Sequence, residues 1–122
     1  MSHGELIPAP IKPIVDQKAL EALDIRIGTI VLVEDLPKTS RLVRLTVDFG
    51  DHSRRVIAGL KGERMDPREI QGTQALFVVN LEPRAIMGEV SEGMLFDIGS
   101  ADGIPPALAV PEHGVPNGAR AG

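Results

Sequence analysis

Hydrophobic and polar residues alternate with a period of two through the middle of the chain. In LVRLTVDFG, residues 42–50, Val43, Leu45, Val47 and Phe49 fall on one face and polar residues on the other. This period is typical of a β-strand with one buried side. Four further segments predict strands, which makes five in all: DIRIGTIVLVEDL (24–36), RRVIAGL (54–60), QALFVVNL (74–81) and EGMLFDIG (92–99).

Two details of these strands are specific enough to check against a structure. Gly28 lies inside the first strand, where a glycine predicts a bulge or a sharp bend of the kind that a small barrel needs. In the last strand, the alternation predicts Met94, Phe96 and Ile98 on the inward face.

The two ends of the chain follow other patterns. Residues 5–13, ELIPAPIKP, contain three prolines and predict an extended arm. Residues 15–23, VDQKALEAL, have the apolar spacing of a short helix, with Asp16 near its start, where the helix dipole favours an acid. Residues 100–122 are rich in Pro and Gly and predict a C-terminal arm.

The order of these elements indicates the fold class. Between the third and fourth strands, Asp66 and Pro67 predict the start of a short helical turn and Gly72 its end. Five strands with a helical element in this position are the arrangement of the OB-fold, an all-β, five-stranded Greek-key barrel. We therefore predict a single domain over residues 1–122, with a barrel core at about 24–99 and arms at 1–23 and 100–122.

Composition limits the classes of function. The chain has 122 residues and no cysteine, which excludes disulfides, thiolate metal sites and a cysteine nucleophile. The sequence shows neither a signal peptide nor an apolar run long enough to span a membrane, and these observations predict a cytoplasmic protein. The histidines His3, His52 and His113 are far apart. We expect no metal site, no cofactor and no enzymatic activity.

Charge is distributed unevenly along the chain. The net charge is −4, yet residues 38–64 contain seven basic and three acidic residues, whereas residues 65–102 contain two basic and seven acidic ones. Charges fluctuate along any sequence, but a basic stretch also suits an RNA backbone. The aromatic residues are Phe49, Phe77 and Phe96, all in apolar runs, so base stacking is poorly provided for. An RNA partner would then be recognised by shape, phosphate and 2′-hydroxyl contacts.

Four segments resemble one known family. DIRIGTI (24–30), LVRLTVDFG (42–50), VIAGL (56–60) and NLEPRAIMGEVSEGM (80–94) are similar in sequence and order to the tRNA-binding domain found at the C-terminus of many methionyl-tRNA synthetases and in the endothelial monocyte-activating polypeptide II group. The tail VPNGARAG (115–122) resembles the ends of free-standing dimeric members, especially the CsaA type of chaperone.

The resemblance implies a partner and a set of site residues. It implies a homodimer that binds structured tRNA, with the arms at the dimer interface. The candidate phosphate contacts are Lys38, Arg41, Arg44, Arg54 and Arg55, and the candidate contacts at the hairpin edge are Asn80, Arg84 and Ser91. The loop after the first strand differs from the family pattern, because Leu36 and Ser40 replace the usual His and acid. Two alternatives remain open: a CsaA-like chaperone that binds unfolded or exported polypeptides, and a subunit that delivers tRNA to an aminoacyl-tRNA synthetase.

Overall fold

The computed structural model describes residues 6–122. Its regular structure consists of one short α-helix, α1 (Gln17–Glu21), and ten strands. The strands are β1 (Ile25–Asp35), β2 (Val43–Asp48), β3 (Ser53–Ala58), β4 (Gln74–Val78), β5 (Arg84–Ile86), β6 (Glu89–Ser91), β7 (Met94–Leu95), β8 (Asp97–Ile98), β9 (Ala107–Leu108) and β10 (Arg120–Ala121).

The main sheet curls into a nearly closed barrel. Its antiparallel order is β3-β2-β1-β4-β7, with β10 also paired to β1, while β5-β6 and β8-β9 form two small separate sheets. The two edges approach each other where the Glu92 amide donates to the Arg55 carbonyl at 2.8 Å. A 3₁₀ turn, Pro67–Ile70, connects β3 to β4, as the Asp66-Pro67 pair predicted. The predicted all-β, OB-like barrel is therefore confirmed.

The alternating residues of β2 form the centre of the core. Val43, Leu45, Val47 and Phe49 are all buried, as the period of two predicted. Phe49 packs edge-on against Phe77 of β4, with ring centroids 5.5 Å apart. Such aromatic pairs stabilise a core beyond the area that they bury.

The irregularity in β1 lies three residues after the position predicted. Gly28 pairs in register with Ala75, and the register shifts between Ile30 and Leu32 instead. A Cβ atom on Gly28 would lie 2.6 Å from Val47 Cγ1, so the glycine is required for close packing of the core rather than for a bulge. The bulge interrupts the alternation and leaves both Val31 and Leu32 exposed.

The predicted inward face of the last strand is wrong. Leu95 is buried, Phe96 is half-buried, and Met94 and Ile98 are exposed. The cause is the pairing of Leu95 with Phe77, because directly paired residues of an antiparallel ladder point to the same side and Phe77 points into the core. Sequence alternation alone could not set this register, since the segment is apolar at adjacent positions.

The N-terminal segment makes few contacts with the barrel. Residues 6–16 have no regular secondary structure and are exposed, as expected for an extended arm, and Glu5 lies outside the described residues. Helix α1 begins after Asp16, whose carboxylate accepts from the Lys18 amide at 3.0 Å. The helix is shorter than predicted, and none of its residues is buried.

Residues 117–121, here termed the C-terminal strap, lie along the barrel. The Ile27 amide donates to the Ala119 carbonyl at 2.9 Å, and the Gly118 amide donates to the Ile27 carbonyl at 2.7 Å. The Asn117 carboxamide oxygen accepts from the Thr29 hydroxyl at 2.8 Å. These bonds attach the predicted C-terminal arm to β1 of its own chain.

Candidate nucleic-acid interface

The tract NLEPRAIMGEVSEGM forms a hairpin, β5–β6, that packs against the edge of the barrel. Its turn contains Met87 and Gly88, which both have positive φ, 51° and 84°, as a two-residue hairpin turn requires. The base of the hairpin is fixed to β3 by Ser91, whose hydroxyl accepts from the Ile57 amide at 3.0 Å and donates to the Gly93 carbonyl at 3.0 Å. The hairpin therefore stands over the outer face of β2 and β3.

Arg44 lies on this outer face between two carboxylates. Its guanidinium donates to Glu89 of β6 at 2.7 Å and to Glu34, its cross-strand partner on β1, at 3.3 Å. The hydrogen bonds to Glu34 and then to Glu89 raise the pKa of Arg44 above its ordinary value. The alternation of β2 placed Arg44 correctly on the polar face, but the cation is already paired with acids of its own chain.

Arg55 adds a second cation to the same face. Its backbone pairs with Thr46, two residues along β2 from Arg44, so both arginines project from one side of the sheet. The Arg55 side chain is exposed. It borders an open cleft of ≈ 440 Å³, which is lined by Arg44, Arg55, Gly88, Glu89, Val90 and Glu92.

Lys38 approaches the hairpin from the loop between β1 and β2. A cleft of ≈ 320 Å³ separates loop and hairpin, and it is lined by Leu36, Pro37, Lys38, Thr39, Met87 and Glu89. Glu89 lines both clefts, so Lys38, Arg44 and Arg55 lie along the hairpin, from its turn to Glu92, which follows its base. The structure thus brings together three of the eight predicted site residues.

Lys61, which sequence reasoning counted only as a basic residue, holds this loop in place. Its ammonium donates to the Leu36 carbonyl at 3.0 Å, to the Thr39 carbonyl at 2.7 Å and to the Asp35 carboxylate at 2.5 Å. Arg41, at the end of the loop, is exposed and lies beside Gly59 and Gly62 of the segment after β3. No local pattern marks Lys61, because its partners lie more than 20 residues away.

Three predicted site residues use their polar groups inside the protein. Arg54 donates to the Val79 carbonyl at 2.5 Å and to the Glu92 carbonyl at 3.2 Å. The Asn80 side chain accepts from the Asp24 amide at 2.7 Å and donates to the Ala22 carbonyl at 2.8 Å. Ser91 is buried as well as hydrogen-bonded.

These three residues differ from Arg84, the remaining candidate at the hairpin edge. Arg54 and Ser91 join β3 to the end of β4 and to the hairpin, and Asn80 joins the end of β4 to the segment before β1, so all three hold parts of the fold together. Arg84 pairs with Ser91 across β5–β6 and is exposed. It borders a small apolar cleft of ≈ 160 Å³ with Ile57, Leu81, Ile86 and Met94 among its lining residues.

The profile of a family described as "Putative tRNA binding domain" matches residues 25–120 of this chain. The chain belongs to this family. The match extends into the C-terminal strap, so the tRNA-binding domain includes the segment that pairs with β1.

Individual relatives of the tRNA-binding domain agree with this assignment. The chain is 38% identical over 81 residues to methionine–tRNA ligase of Methanocaldococcus jannaschii, a match that covers 66% of the chain but only 12% of the ligase. The structure is similar to a MetRS related protein from Pyrococcus horikoshii, with a TM-score of 0.82, 29% identity, and coverage of 90% of this chain and 99% of that one.

A second solved structure similar to the tRNA-binding domain is the chaperone CsaA from Bacillus anthracis. The TM-score is 0.74 at 26% identity, and the match covers 90% of this chain and 100% of that one. Each match covers more of this chain than the barrel core alone.

The described residues of the tRNA-binding domain contain neither a candidate metal site nor a helix that could span a membrane. Residues 6–122 contain no group of three or more His, Cys, Asp or Glu side chains that could hold a metal ion. Within the same range, no helix is long and apolar enough to cross a membrane.

Proposed function

We propose that the protein binds structured tRNA without catalysing a reaction, through the cations Lys38, Arg44 and Arg55 that lie along hairpin β5–β6. The observation that supports this site is the convergence of Lys38, Arg44 and Arg55 on two clefts that share one wall, in a chain of the tRNA-binding family. Arg41 and Arg84 are exposed but line neither of these clefts. The protein would act in the cytoplasm, where tRNA is found.

The mode of recognition follows from the side chains available. Phe49 and Phe77 are buried and pack on each other, so neither can stack on a base. Guanidinium and ammonium groups bind phosphate oxygens irrespective of sequence. We therefore expect the protein to prefer folded tRNA to unstructured RNA because of backbone shape.

A charge-matched pair of variants tests the site. Lys38→Gln and Arg55→Gln each remove one cation from the clefts, and each should weaken binding of fluorescently labelled bulk tRNA and reduce the salt slope by about 0.7 to 0.9. Lys18→Gln removes a cation from α1, outside both clefts, and serves as the control. Equal losses in all three variants would mean that the clefts are not the site.

We propose in addition that the protein is a homodimer. Ile7, Ile11 and Ile14 of the N-terminal segment are 88%, 99% and 100% exposed, although side chains of this type are usually buried. A second copy of the chain would cover them, as the resemblance to dimeric family members implies. Light scattering should give a dimer for the natural sequence and a monomer after Ile11→Asp and Ile14→Asp. A dimer that survives both substitutions would contradict this role of the segment.

A second candidate function is the binding of unfolded polypeptides. The observation that favours it is the apolar cleft beside Arg84, where Leu81 and Met94 are each more than 40% exposed. Apolar grooves of this kind suit the hydrophobic side chains of an unfolded client. Suppression of aggregation of a denatured client, lost on Met94→Asp, would support it, and an inert protein at stoichiometric excess would contradict it. Delivery of tRNA to a synthetase remains a third candidate, which a pull-down tests.

A further inference from the structure

Arg44 is paired with acids of its own chain on the face where the proposed function requires a cation. The Arg44 guanidinium is 2.7 Å from Glu89 and 3.3 Å from Glu34, and the three side chains are 25%, 30% and 40% exposed, respectively. Solvent reaches all of them. An anion from outside can therefore approach the guanidinium without unfolding of the barrel.

The two carboxylates are attached to different parts of the fold. Glu34 pairs with Arg44 in the β1–β2 ladder and is fixed by the main sheet. Glu89 belongs to hairpin β5–β6, which is not part of that sheet. Among the described residues, the bond from Arg44 to Glu89 is the one hydrogen bond between hairpin residues 86–89 and the main sheet. Glu89 can therefore leave without distorting the main sheet, and only the distal end of the hairpin loses an attachment.

We propose that Glu89 is an internal counterion that competes with RNA phosphate for Arg44, so that binding exchanges the carboxylate for a phosphate. A carboxylate and a phosphate accept charge-assisted hydrogen bonds from a guanidinium in the same forked geometry. This inference rests on the proposed function and identifies Glu89 as the residue that limits tRNA affinity. An acid of the protein itself thus competes with RNA for a cation of the binding face.

The position of Glu89 extends its influence beyond Arg44. Its side chain lines both clefts, so its negative charge also opposes a phosphate near Lys38 or Arg55. Displacement of Glu89 releases the distal end of the hairpin, while Ser91 still fixes the base to β3. RNA binding would thus loosen residues 86–89 and leave the barrel intact.

The test compares two substitutions that change the charge equally. Glu89→Gln keeps the length of the side chain but removes the competing charge. The control, Glu21→Gln, removes a charge from an exposed glutamate of α1 that lines neither cleft and forms no ion pair among residues 6–122. We expect Glu89→Gln to bind labelled bulk tRNA about two- to fivefold more tightly than the natural protein at low salt, because the natural protein must break the Arg44–Glu89 ion pair when it binds and an exposed ion pair is worth about this much. The salt dependence of binding should also be steeper in the variant. Glu21→Gln should change the affinity less.

Two further variants separate competition from effects on folding. In an Arg44→Gln background, the gain from Glu89→Gln should be clearly smaller, because the share that acts through the contact with Arg44 is lost and only the share near Lys38 and Arg55 remains. Glu89→Asp keeps the charge but shortens the side chain by one methylene, and its affinity should lie between those of the natural protein and Glu89→Gln. This variant tests the inference even if Glu89→Gln lowers stability.

The outcomes distinguish the inference from the proposed function. Equal affinities of Glu89→Gln and Glu21→Gln would overturn the inference alone, provided that the natural protein binds tRNA. Weaker binding by Glu89→Gln would also overturn it, and would mean that Glu89 positions the guanidinium for RNA. If neither the natural protein nor Glu89→Gln binds tRNA at low salt, the proposed function fails and the inference fails with it.

Discussion

Asp97 should make the stability of the protein depend on pH in a way that one substitution can isolate. Asp97 of β8 is partly buried and hydrogen-bonds to Glu63, and desolvation followed by this contact raises the pKa of Asp97 to about 6 from 3.8. Glu63 Oε1 accepts from the Ser100 hydroxyl at 2.9 Å. Glu63 Oε2 is buried with no donor among the described groups, so a proton on Asp97 would satisfy it.

The direction in which stability changes with pH follows from the raised pKa of Asp97. A carboxyl group whose pKa is raised on folding contributes stability that is fully present below its unfolded pKa and is lost as the pH rises through its folded pKa. For Asp97 the loss falls between about pH 4 and pH 6. A shift of about two pKa units corresponds to about 3 kcal/mol, which we reduce to about 1 to 2 kcal/mol because solvent reaches part of the site.

Asp97→Asn is the corresponding perturbation, because asparagine is neutral at every pH and still donates a hydrogen bond to Glu63. At pH 7.5 we expect the variant to be more stable than the natural protein by about 1 to 2 kcal/mol in urea unfolding. At pH 4 the difference should disappear. Comparison of variant with natural protein at each pH cancels the contribution of other carboxylates.

Asp102→Asn controls for the change in net charge, since Asp102 is exposed and lies in the 3₁₀ turn Ser100–Asp102 that follows β8. Its effect should be small and the same at both pH values. A difference in stability between Asp97→Asn and the natural protein that does not change with pH would refute the reasoning. So would a variant that is less stable at pH 7.5.

Three further substitutions test the account of the fold by urea unfolding. Gly28→Ala should destabilise by about 1 to 3 kcal/mol through overpacking against Val47, and an unchanged midpoint would contradict the close approach. Ser91→Ala should cost about 1 to 3 kcal/mol because it leaves the buried Ile57 amide without a partner; Ser53→Ala, at an exposed position of β3, is its control. Met87→Gly should stabilise the protein by up to about 1 kcal/mol, because Met87 has a φ of 51° and its side chain is 72% exposed. A loss of stability would mean that the Met87 side chain makes a stabilising contact.

The local pattern of residues predicted the elements whose causes are local. The alternation in β2 and the Asp66-Pro67 turn depend only on neighbouring residues, and both are as predicted. The register of β7 depends on Phe77, and the position of the bulge in β1 depends on how β2 pairs beyond Ile30. Such features are determined by packing between distant segments, which periodicity within one segment does not describe.

The candidate site shows the same division. The alternation predicted that Arg44 lies on the polar face. Its pairing with Glu34 and Glu89 could not be predicted in this way, because it depends on the strand register and on the position of the hairpin. The sequence showed a basic stretch followed by an acidic one, and the fold brings Glu89 of the acidic stretch onto the basic face. Local charge along the chain therefore overstates the positive charge that an RNA would meet.

The measurement that tests the central claim most directly is a fluorescence anisotropy titration of labelled bulk tRNA with the purified protein. It should be carried out at two salt concentrations, beside a single-stranded RNA of equal length. The account predicts binding that prefers the folded tRNA and weakens with salt, with a slope of about 0.7 to 0.9 for each phosphate contact. Equal affinity for both RNAs, or no binding to tRNA at low salt, would contradict it.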